Sequence, residues 1–154
     1  MSTSVGCTIR ALGPGDLEAV MSIQAASPEI AQWSLWDYER VARGEMVGWA
    51  AEVHSEVAGF LVGRRIGQDL EVLNLAVWPG VRRRGVGAAL LDAAISWAKE
   101  FNAENVLLEV RASNLAALRF YERYRFEMAG RRPRYYTSPV EDALLLNASL
   151  KAAQ

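Results

Sequence analysis

The residues best suited to chemistry begin with three consecutive arginines and two glycines, the run RRRGVG from Arg82 to Gly87. Two glycines separated by one residue allow the backbone to approach a ligand closely. A helix that begins here would leave its first N–H groups unpaired, and its dipole would favour negative charge. Together with the three guanidinium groups, these features predict a site for a pyrophosphate. A solvated basic loop with a glycine-assisted turn is the alternative interpretation.

Two common phosphate motifs do not fit this run. A Walker loop would end in Gly-Lys-Ser or Gly-Lys-Thr, which is absent here. The dinucleotide fingerprint needs a third glycine or alanine at the position that Leu90 occupies. The predicted ligand is therefore a phosphate-bearing group of another class.

A carboxylate lies in the next predicted strand, Val106–Val110. Glu109 shares a strand face with Leu107 and Arg111, because alternate residues point to the same side. Apolar neighbours disfavour the charged form of a carboxylate, which makes it a better proton acceptor near neutral pH. A structural ion pair with Arg111 is the alternative interpretation.

A tyrosine lies in the aromatic run FYERYRF, from Phe120 to Phe126. Tyr121 could donate a proton from the end of a helix. Its alternative role is packing in the core, as is usual for an aromatic side chain.

Hydrophobic periodicity predicts the elements that would position these groups, in the order β-α-α-β-β-β-α-β-α-β-β with helices packed on a mixed sheet. The predicted strands are Thr8–Leu12, Val47–Val53, Val57–Ile66, Asp69–Val77, Val106–Val110, Glu127–Arg131 and Asp142–Asn147. The first predicted helix begins at Pro14. The other three are predicted at Leu35–Arg43, from Val86 to about Phe101, and at Leu115–Tyr124 after a cap at Ser113 or Asn114.

The strand Asp69–Val77 has an unusual pattern. Leu70 and Val72 are the apolar residues of one face, whereas Leu73, Leu75 and Val77 belong to the other. This change of phase predicts burial of both faces or a bulge with one extra residue.

Composition narrows the class of protein. A chain of 154 residues fits one domain, here residues 1–154. Its 17 basic and 18 acidic residues give a net charge of −1, which disfavours a nucleic-acid partner. Cys7 and His54 are single residues without metal-ligand spacing, so no metal is expected, nor a covalent intermediate on the cysteine. The N-terminal segment has no secretory pattern and no run is apolar enough to span a membrane, so a cytoplasmic location and no membrane partner are expected.

The three segments together resemble the GCN5-related N-acetyltransferase (GNAT) family in order and spacing. Arg82, Gly85 and Gly87 match that family's acyl-CoA signature, Gln/Arg-x-x-Gly-x-Gly/Ala. The runs LEVRASN at 108–114, FYERYRF at 120–126, YY at 135–136 and EDA at 141–143 resemble the subgroup of bacterial ribosomal-protein alanine N-acetyltransferases. The resemblance extends from Thr8 to Leu150. It implies a GNAT fold of the α/β class, with a mixed, mostly antiparallel central sheet and about four helices.

The resemblance implies a role for each matching residue, with acetyl-CoA as cosubstrate. Cofactor-binding roles fall to Leu75, Ala76, Val77, Arg82, Arg83, Arg84, Gly85, Val86, Gly87, Ala88 and Asn114. The N–H of Val77 would polarise the thioester carbonyl. Glu109 would be the general base, directly or through water, and Tyr121 the general acid, for which a lowered pKa is expected because the leaving thiol is the stronger acid. Trp33, Tyr135 and Tyr136 would line a peptide groove.

The chain departs from the subgroup at two positions. Arg125 replaces a glycine, which would cost roughly 1–2 kcal/mol if the position needs a positive φ. Gln32 replaces the proline that precedes the tryptophan-serine pair at Trp33.

The resulting functional prediction is acetyl transfer to the α-amino group of a protein N-terminus, with an N-terminal alanine of a ribosomal protein, such as one of the small subunit, as the favoured acceptor. An α-amino group loses its proton more readily than lysine, by roughly 3 kcal/mol, and attack needs the neutral amine. Three alternatives stay open: acetylation of lysine, a polyamine or another small amine; a non-catalytic acyl-CoA-binding module; and a nucleic-acid site at the arginine run.

Overall fold

The structure is a computed structural model that describes residues 6–151, and within them the elements follow one another in the predicted order. The strands are β1 (Thr8–Ala11), β2 (Val47–Val53), β3 (Glu56–Ile66), β4 (Asp69–Val77), β5 (Asn105–Arg111), β6 (Glu127–Thr137) and β7 (Val140–Ser149). The helices are α1 (Leu17–Ala25), α2 (Leu35–Ala42), α3 (Val86–Glu100) and α4 (Leu115–Arg123). None of the helices in this part of the chain has the length and apolar character needed to cross a membrane.

The strands form a seven-stranded sheet in the order β1-β2-β3-β4-β5-β7-β6. β4 and β5 pair in parallel, whereas β1 with β2, β2 with β3, β5 with β7 and β6 with β7 pair antiparallel. The predicted fold class, a mixed and mostly antiparallel α/β sheet with four helices, is confirmed.

The chain forms two compact units. The first contains residues up to Arg64 together with Leu73–Trp97, and the second contains Arg65–Val72 and the chain from Ala98 onward. β4 contributes to both, because its first four residues pair with β5 in the second unit.

The first unit has a continuous hydrophobic core between α1, α2 and strands β2 to β4. Its fully buried side chains include Val20 of α1, Tyr38 of α2 and Phe60 of β3. Leu90, Leu91, Ala94 and Ala98 form an apolar stripe on α3 and are fully buried. Burial of such side chains supplies most of the stabilisation of the elements that carry them.

Local sequence explains where the helices of the first unit begin. Ser34 Oγ accepts a hydrogen bond from the Asp37 N–H at 3.2 Å, and the Asp37 carboxylate accepts one from the Ser34 N–H at 3.0 Å. This reciprocal capping box starts α2 at the predicted residue. The predicted start of the first helix at Pro14 is early, because Pro14–Asp16 forms a 3₁₀ turn and α1 begins at Leu17.

The predicted hairpin between β2 and β3 is confirmed. Its turn consists of His54 and Ser55, with φ values of +52° and +68°. Two consecutive positive φ values match the twist of a two-residue hairpin turn, so β3 begins at Glu56, one residue earlier than predicted.

The predicted change of phase in β4 is wrong. Burial alternates regularly, with Leu70, Val72, Asn74 and Ala76 all buried and the intervening residues partly exposed. The next buried position on the face of Leu70 and Val72 is a polar residue, Asn74. A pattern based on apolar residues alone therefore misses the regular alternation.

Three helices end in the same backbone arrangement. After α2, α3 and α4, the residues Gly44, Asn102 and Arg125 have φ values of +84°, +57° and +65°. At each end, the N–H of this residue and of the next donate back to the last turn, as Gly44 does to Val41 and Arg125 does to Glu122, both at 2.9 Å. This is the Schellman motif, whose left-handed residue is most often glycine.

The second unit contains β5, β7, β6 and α4. β6 and β7 are longer than the predicted Glu127–Arg131 and Asp142–Asn147. Pro133 and two register shifts in β6 interrupt the alternation that a sequence pattern can detect. Of the two predicted caps of α4, Asn114 is the one used, since its side-chain oxygen accepts from the Ala117 N–H at 3.2 Å.

Candidate active site

The loop Arg82–Ala88 lies in the first unit between β4 and α3. Its backbone is left-handed at Arg83, with φ +65°, and at Gly85, with φ +85°. The Gly85 carbonyl accepts the hydrogen bond of Ala89 at 3.0 Å, so α3 begins directly after it. Turns of this kind direct backbone N–H groups to one side, and the helix dipole adds positive potential. The loop therefore fits a pyrophosphate.

The three arginines of this loop differ in their surroundings. Arg83 and Arg84 are exposed. Arg82 donates to the Val77 carbonyl at 3.0 Å and the Ser27 hydroxyl at 3.0 Å, and its guanidinium lies 3.1 Å from the Glu29 carboxylate. The Arg82 side chain therefore ties the end of β4 to the segment after α1, and its assignment to the cofactor stays a prediction.

The end of β4 carries the three predicted cofactor residues Leu75, Ala76 and Val77. Ala76 is buried, and a Cβ added to Gly59 of β3 would come within 3.2 Å of its carbonyl oxygen. Glycine at position 59 therefore permits this close approach of the two backbones. Leu75 and Val77 are partly exposed on the opposite face.

A buried polar network that the sequence patterns did not identify holds the segment before α2. The Asn74 amide, 6% exposed, donates to the Ala31 carbonyl at 2.9 Å and to the Tyr38 hydroxyl at 3.0 Å. Tyr38 in turn donates to the Gln24 side-chain oxygen at 2.5 Å. Gln24 binds both backbone groups of Trp33, accepting its N–H at 2.9 Å and donating to its carbonyl at 2.8 Å. Trp33, the predicted substrate-side residue, is therefore fixed at its backbone.

This network had one signal in the sequence. Asn74 is the only polar residue at the buried positions of β4, and buried polar side chains need partners. Burial also raises the pKa of the Tyr38 hydroxyl, which keeps it protonated and able to donate.

Glu109 lies on the partly exposed face of β5 in the second unit. Its Oε1 lies 3.1 Å from Arg132 Nε of β6, and its side chain is 25% exposed. The charge of Glu109 is the main cause that raises the pKa of Tyr135, so the Tyr135 side chain lies near this carboxylate. The structure thus brings together two of the predicted site residues, Glu109 and Tyr135.

The alternative interpretation, in which Glu109 forms an ion pair with Arg111, is wrong because each of the two residues has another partner. Arg111 lies 3.2 Å from Glu141 of β7, and its guanidinium lies 4.1 Å from the centre of the Tyr136 ring. Burial, and then the charge of Glu109, raise the pKa of Tyr136 to about 12. Tyr136 therefore belongs to the same group of side chains as Glu109.

Tyr121 lies on α4, also in the second unit, and is 8% exposed. Its ring contacts those of Phe120 and Phe126, with centroids 5.2 Å and 5.4 Å away. The expected lowering of its pKa is wrong, because burial raises the pKa of Tyr121. The phenol is therefore protonated at neutral pH and can donate a hydrogen bond there.

The two units divide the predicted site residues between them. The loop Arg82–Ala88, the end of β4 and Trp33 belong to the first unit, and the remaining five belong to the second, namely Glu109, Asn114, Tyr121, Tyr135 and Tyr136. Asn114 has its side-chain oxygen engaged as the cap of α4.

Comparison with known proteins identifies the family. The chain matches the model of the acetyltransferase (GNAT) family over residues 17–126. It is 30% identical to the ribosomal protein bS18-alanine N-acetyltransferase of Escherichia coli K12 over 141 residues, covering 90% of this chain and 95% of the relative. It is 34% identical to an N-alpha-acetyltransferase of Sulfurisphaera tokodaii over 125 residues, covering 73% and 74%.

A solved structure agrees with this relationship. The crystal structure of the ribosomal-protein-S18-alanine N-acetyltransferase from Escherichia coli superposes with a TM-score of 0.85 at 28% identity, covering 97% of each chain. The family match covers more than half of the sequence and includes both the phosphate-fitting loop and Glu109. The chain therefore belongs to the GNAT family and is an N-acetyltransferase of that type.

Proposed function

We propose that this N-acetyltransferase transfers an acetyl group from acetyl-CoA to the α-amino group of a protein N-terminus, with an N-terminal alanine of a ribosomal protein as the favoured acceptor. The observation that carries the proposal is the Glu109 carboxylate on β5, paired with Arg132 and close to the side chains of Tyr135 and Tyr136. The acceptor class is supported by the activities for which the two curated relatives are named. The proposed location is the cytoplasm.

The residues of the first unit would bind the cosubstrate. Acetyl-CoA supplies a pyrophosphate for the binding site and an activated acetyl thioester for the reaction. The left-handed backbone at Arg83 and Gly85 and the start of α3 suit the pyrophosphate, and the exposed Arg83 and Arg84 add positive charge. We assign the backbone of Leu75–Val77 to the acetyl and pantetheine portion, with the Val77 N–H on the thioester carbonyl, where a fixed donor stabilises developing negative charge.

The residues of the second unit would manage the protons of the reaction. The acceptor arrives as an ammonium and must lose a proton before it attacks, so a carboxylate both attracts it and accepts the proton. Glu109 takes this role. Tyr121 is assigned to the leaving thiolate; because its raised pKa keeps it protonated, it donates a hydrogen bond there and gives up its proton less readily than an ordinary phenol. A carboxylate acting alone suits an α-amino group better than lysine, whose pKa is about 2.5 units higher.

The test compares two peptides of the same sequence that contain alanine at position 1 and one internal lysine. One has a free N-terminus and the other an N-terminal block, and mass spectrometry locates the added acetyl group after incubation with acetyl-CoA. We expect acetylation of the α-amino group of the free peptide only. Equal rates on both peptides would contradict the N-terminal assignment in favour of a lysine or small-amine acceptor.

Two further outcomes separate the other classes of function. Binding of acetyl-CoA in calorimetry without transfer to any amine would identify a non-catalytic acyl-CoA module. Binding of RNA or DNA that weakens steeply with salt would assign the arginine run to a nucleic acid instead.

A further inference from the structure

The strand β6 contains a bulge opposite Asp142 of β7. Arg132 pairs with Ala143, and the next paired residues are Tyr136 and Glu141. β6 therefore advances by four residues where β7 advances by two, so two extra residues are accommodated within the segment Pro133–Tyr135. A bulge redirects the side chains that flank it, and bulges are frequent next to active sites.

The Asp142 carboxylate closes this bulge. Its Oδ1 accepts a hydrogen bond from the Arg134 N–H at 2.9 Å, and its Oδ2 accepts one from Arg131 Nε at 2.5 Å. Arg134 has a φ of +56°, which places its N–H out of the regular ladder. The bond from the Arg134 backbone, followed by the bond from Arg131, lowers the pKa of Asp142, so this carboxylate is ionised at neutral pH.

The side chains of the bulged segment and of the residue just before it converge on Glu109. Arg132 forms the ion pair with Glu109 at 3.1 Å, and Tyr135 lies near enough to the same carboxylate for its charge to raise the pKa of Tyr135. The Arg132 guanidinium also lies 5.8 Å from the centre of the Tyr135 ring. Arg132 and Tyr135 are three residues apart, so in a regular strand their side chains would point to opposite faces of the sheet.

We infer that Asp142 is a positioning residue, whose carboxylate fixes the bulge Pro133–Tyr135 and thereby directs Arg132 and Tyr135 onto Glu109. This inference rests on the proposed function, in which Glu109 accepts the proton of the acceptor amine. It gives a physical role to the aspartate of the EDA run at 141–143, which no step of the proposed reaction otherwise uses.

The test compares Asp142→Ala with Asp142→Asn. Alanine removes both acceptors, whereas asparagine keeps an oxygen for the Arg134 N–H. We expect Asp142→Ala to lower kcat/KM for the acceptor peptide about tenfold while the Kd for acetyl-CoA stays unchanged, and Asp142→Asn to recover most of that loss. A loss of equal size in both variants would overturn the inference. Glu127→Ala, which removes an exposed carboxylate from β6, is the control and should retain full activity.

A second readout does not depend on catalysis. The titration of Tyr135, followed by NMR of ring-labelled tyrosine and assigned with Tyr135→Phe, reports the proximity of Glu109, whose charge raises the pKa of Tyr135. In Asp142→Ala this pKa should fall towards the ordinary value near 10, and in Asp142→Asn it should stay raised. An unchanged titration in the alanine variant would overturn the inference. If the wild-type protein acetylates no peptide N-terminus, the proposed function fails while this titration still decides the role of Asp142.

Discussion

Arg132 Nε of β6 lies 3.1 Å from Glu109 Oε1 of β5, so the charge of Glu109 is compensated from a different strand. Arg111, the basic residue nearest in sequence, is bound to Glu141 instead. A carboxylate has about four acceptor positions, so Glu109 can keep its ion pair with Arg132 and still accept a proton from an amine. The ion pair therefore orients the carboxylate without using all of its capacity to accept.

Glu109→Gln tests this role most directly. The amide has nearly the same shape but neither a negative charge nor a useful basicity. We expect kcat for an N-terminal alanine peptide to fall about 100-fold at neutral pH, within the usual range for loss of a general base, with the affinity for acetyl-CoA unchanged. Steady-state kinetics and calorimetry measure the two quantities.

The control for that variant is Glu127→Gln, which removes an exposed carboxylate from β6 and should leave both quantities unchanged. Unchanged turnover in Glu109→Gln would remove this residue from the mechanism.

The sequence predicted the order of elements and the position of the phosphate-fitting loop because both are local properties. Hydrophobic periodicity and glycine spacing act within a few residues along the chain. The partner of Glu109 could not be found in this way, because Arg132 reaches it through the pairing of β5 with β7 and of β7 with β6. The register shift between Arg132 and Tyr136 lies opposite Asp142, whose carboxylate accepts the Arg134 N–H, and no spacing along the chain reveals this contact.

The buried asparagine of β4 illustrates a second limit. A count of apolar residues treats Asn74 as a break in phase, whereas the structure satisfies its amide with Ala31 and Tyr38 and buries it. The direction of the pKa shift of Tyr121 was likewise set by its surroundings. Phe120 and Phe126 enclose the ring, and burial disfavours the phenolate.

Gly85→Ala tests the phosphate-fitting loop. Gly85 has a φ of +85°, which costs a residue with a Cβ roughly 1–2 kcal/mol. The loop would relieve this strain by changing its backbone, and the N–H groups would lose their common direction. We expect the Kd for coenzyme A, measured by calorimetry, to rise at least tenfold.

The matched control is Gly80→Ala in the turn that precedes the loop. A Cβ added there would meet only the Trp78 side chain, at 3.4 Å, and its φ does not lie in the left-handed range that favours glycine. Its affinity for coenzyme A should stay within twofold of the wild type. Equal losses in the two variants would indicate a general effect on the loop and contradict the assignment of Gly85.

Arg125→Gly tests the strain at the end of α4. Arg125 occupies the left-handed position of the Schellman motif that Gly44 occupies after α2. Glycine removes roughly 1–2 kcal/mol of backbone strain but adds about 0.4–1 kcal/mol of unfolded-state entropy, so the net stabilisation should be about 0.5–1 kcal/mol. Urea denaturation measures it. Arg123→Gly, in the last turn of the helix itself, should destabilise by up to about 1 kcal/mol. A change in the free energy of unfolding with the same sign in both variants would contradict the backbone strain assigned to Arg125.

Asp16→Asn tests how much the charge of Asp16 contributes to the stability of the fold, and in which direction this contribution changes with pH. Arg10 donates two hydrogen bonds to the Asp16 carboxylate, each of 2.8 Å, and the Gly13 N–H donates a third at 2.7 Å. The bonds from Arg10 are the main cause that lowers the pKa of Asp16 below its ordinary value. A lowered pKa favours the folded state above the unfolded value near 3.9, and this contribution is lost as the pH falls through the folded pKa.

At pH 7 the asparagine variant should therefore be less stable by about 1–2 kcal/mol, a figure reduced because Arg10 is partly exposed and screened by solvent. The difference from the wild type should shrink as the pH falls below about 4, because the unfolded wild-type chain then takes up a proton at Asp16 that the folded chain, with its lowered pKa, takes up only at lower pH. Urea denaturation at pH 7 and at pH 3 measures the two differences, with the exposed Asp92→Asn as the control. A difference that stays constant between these pH values would show that Asp16 stabilises the fold through its shape and neutral hydrogen bonds, and not through its charge.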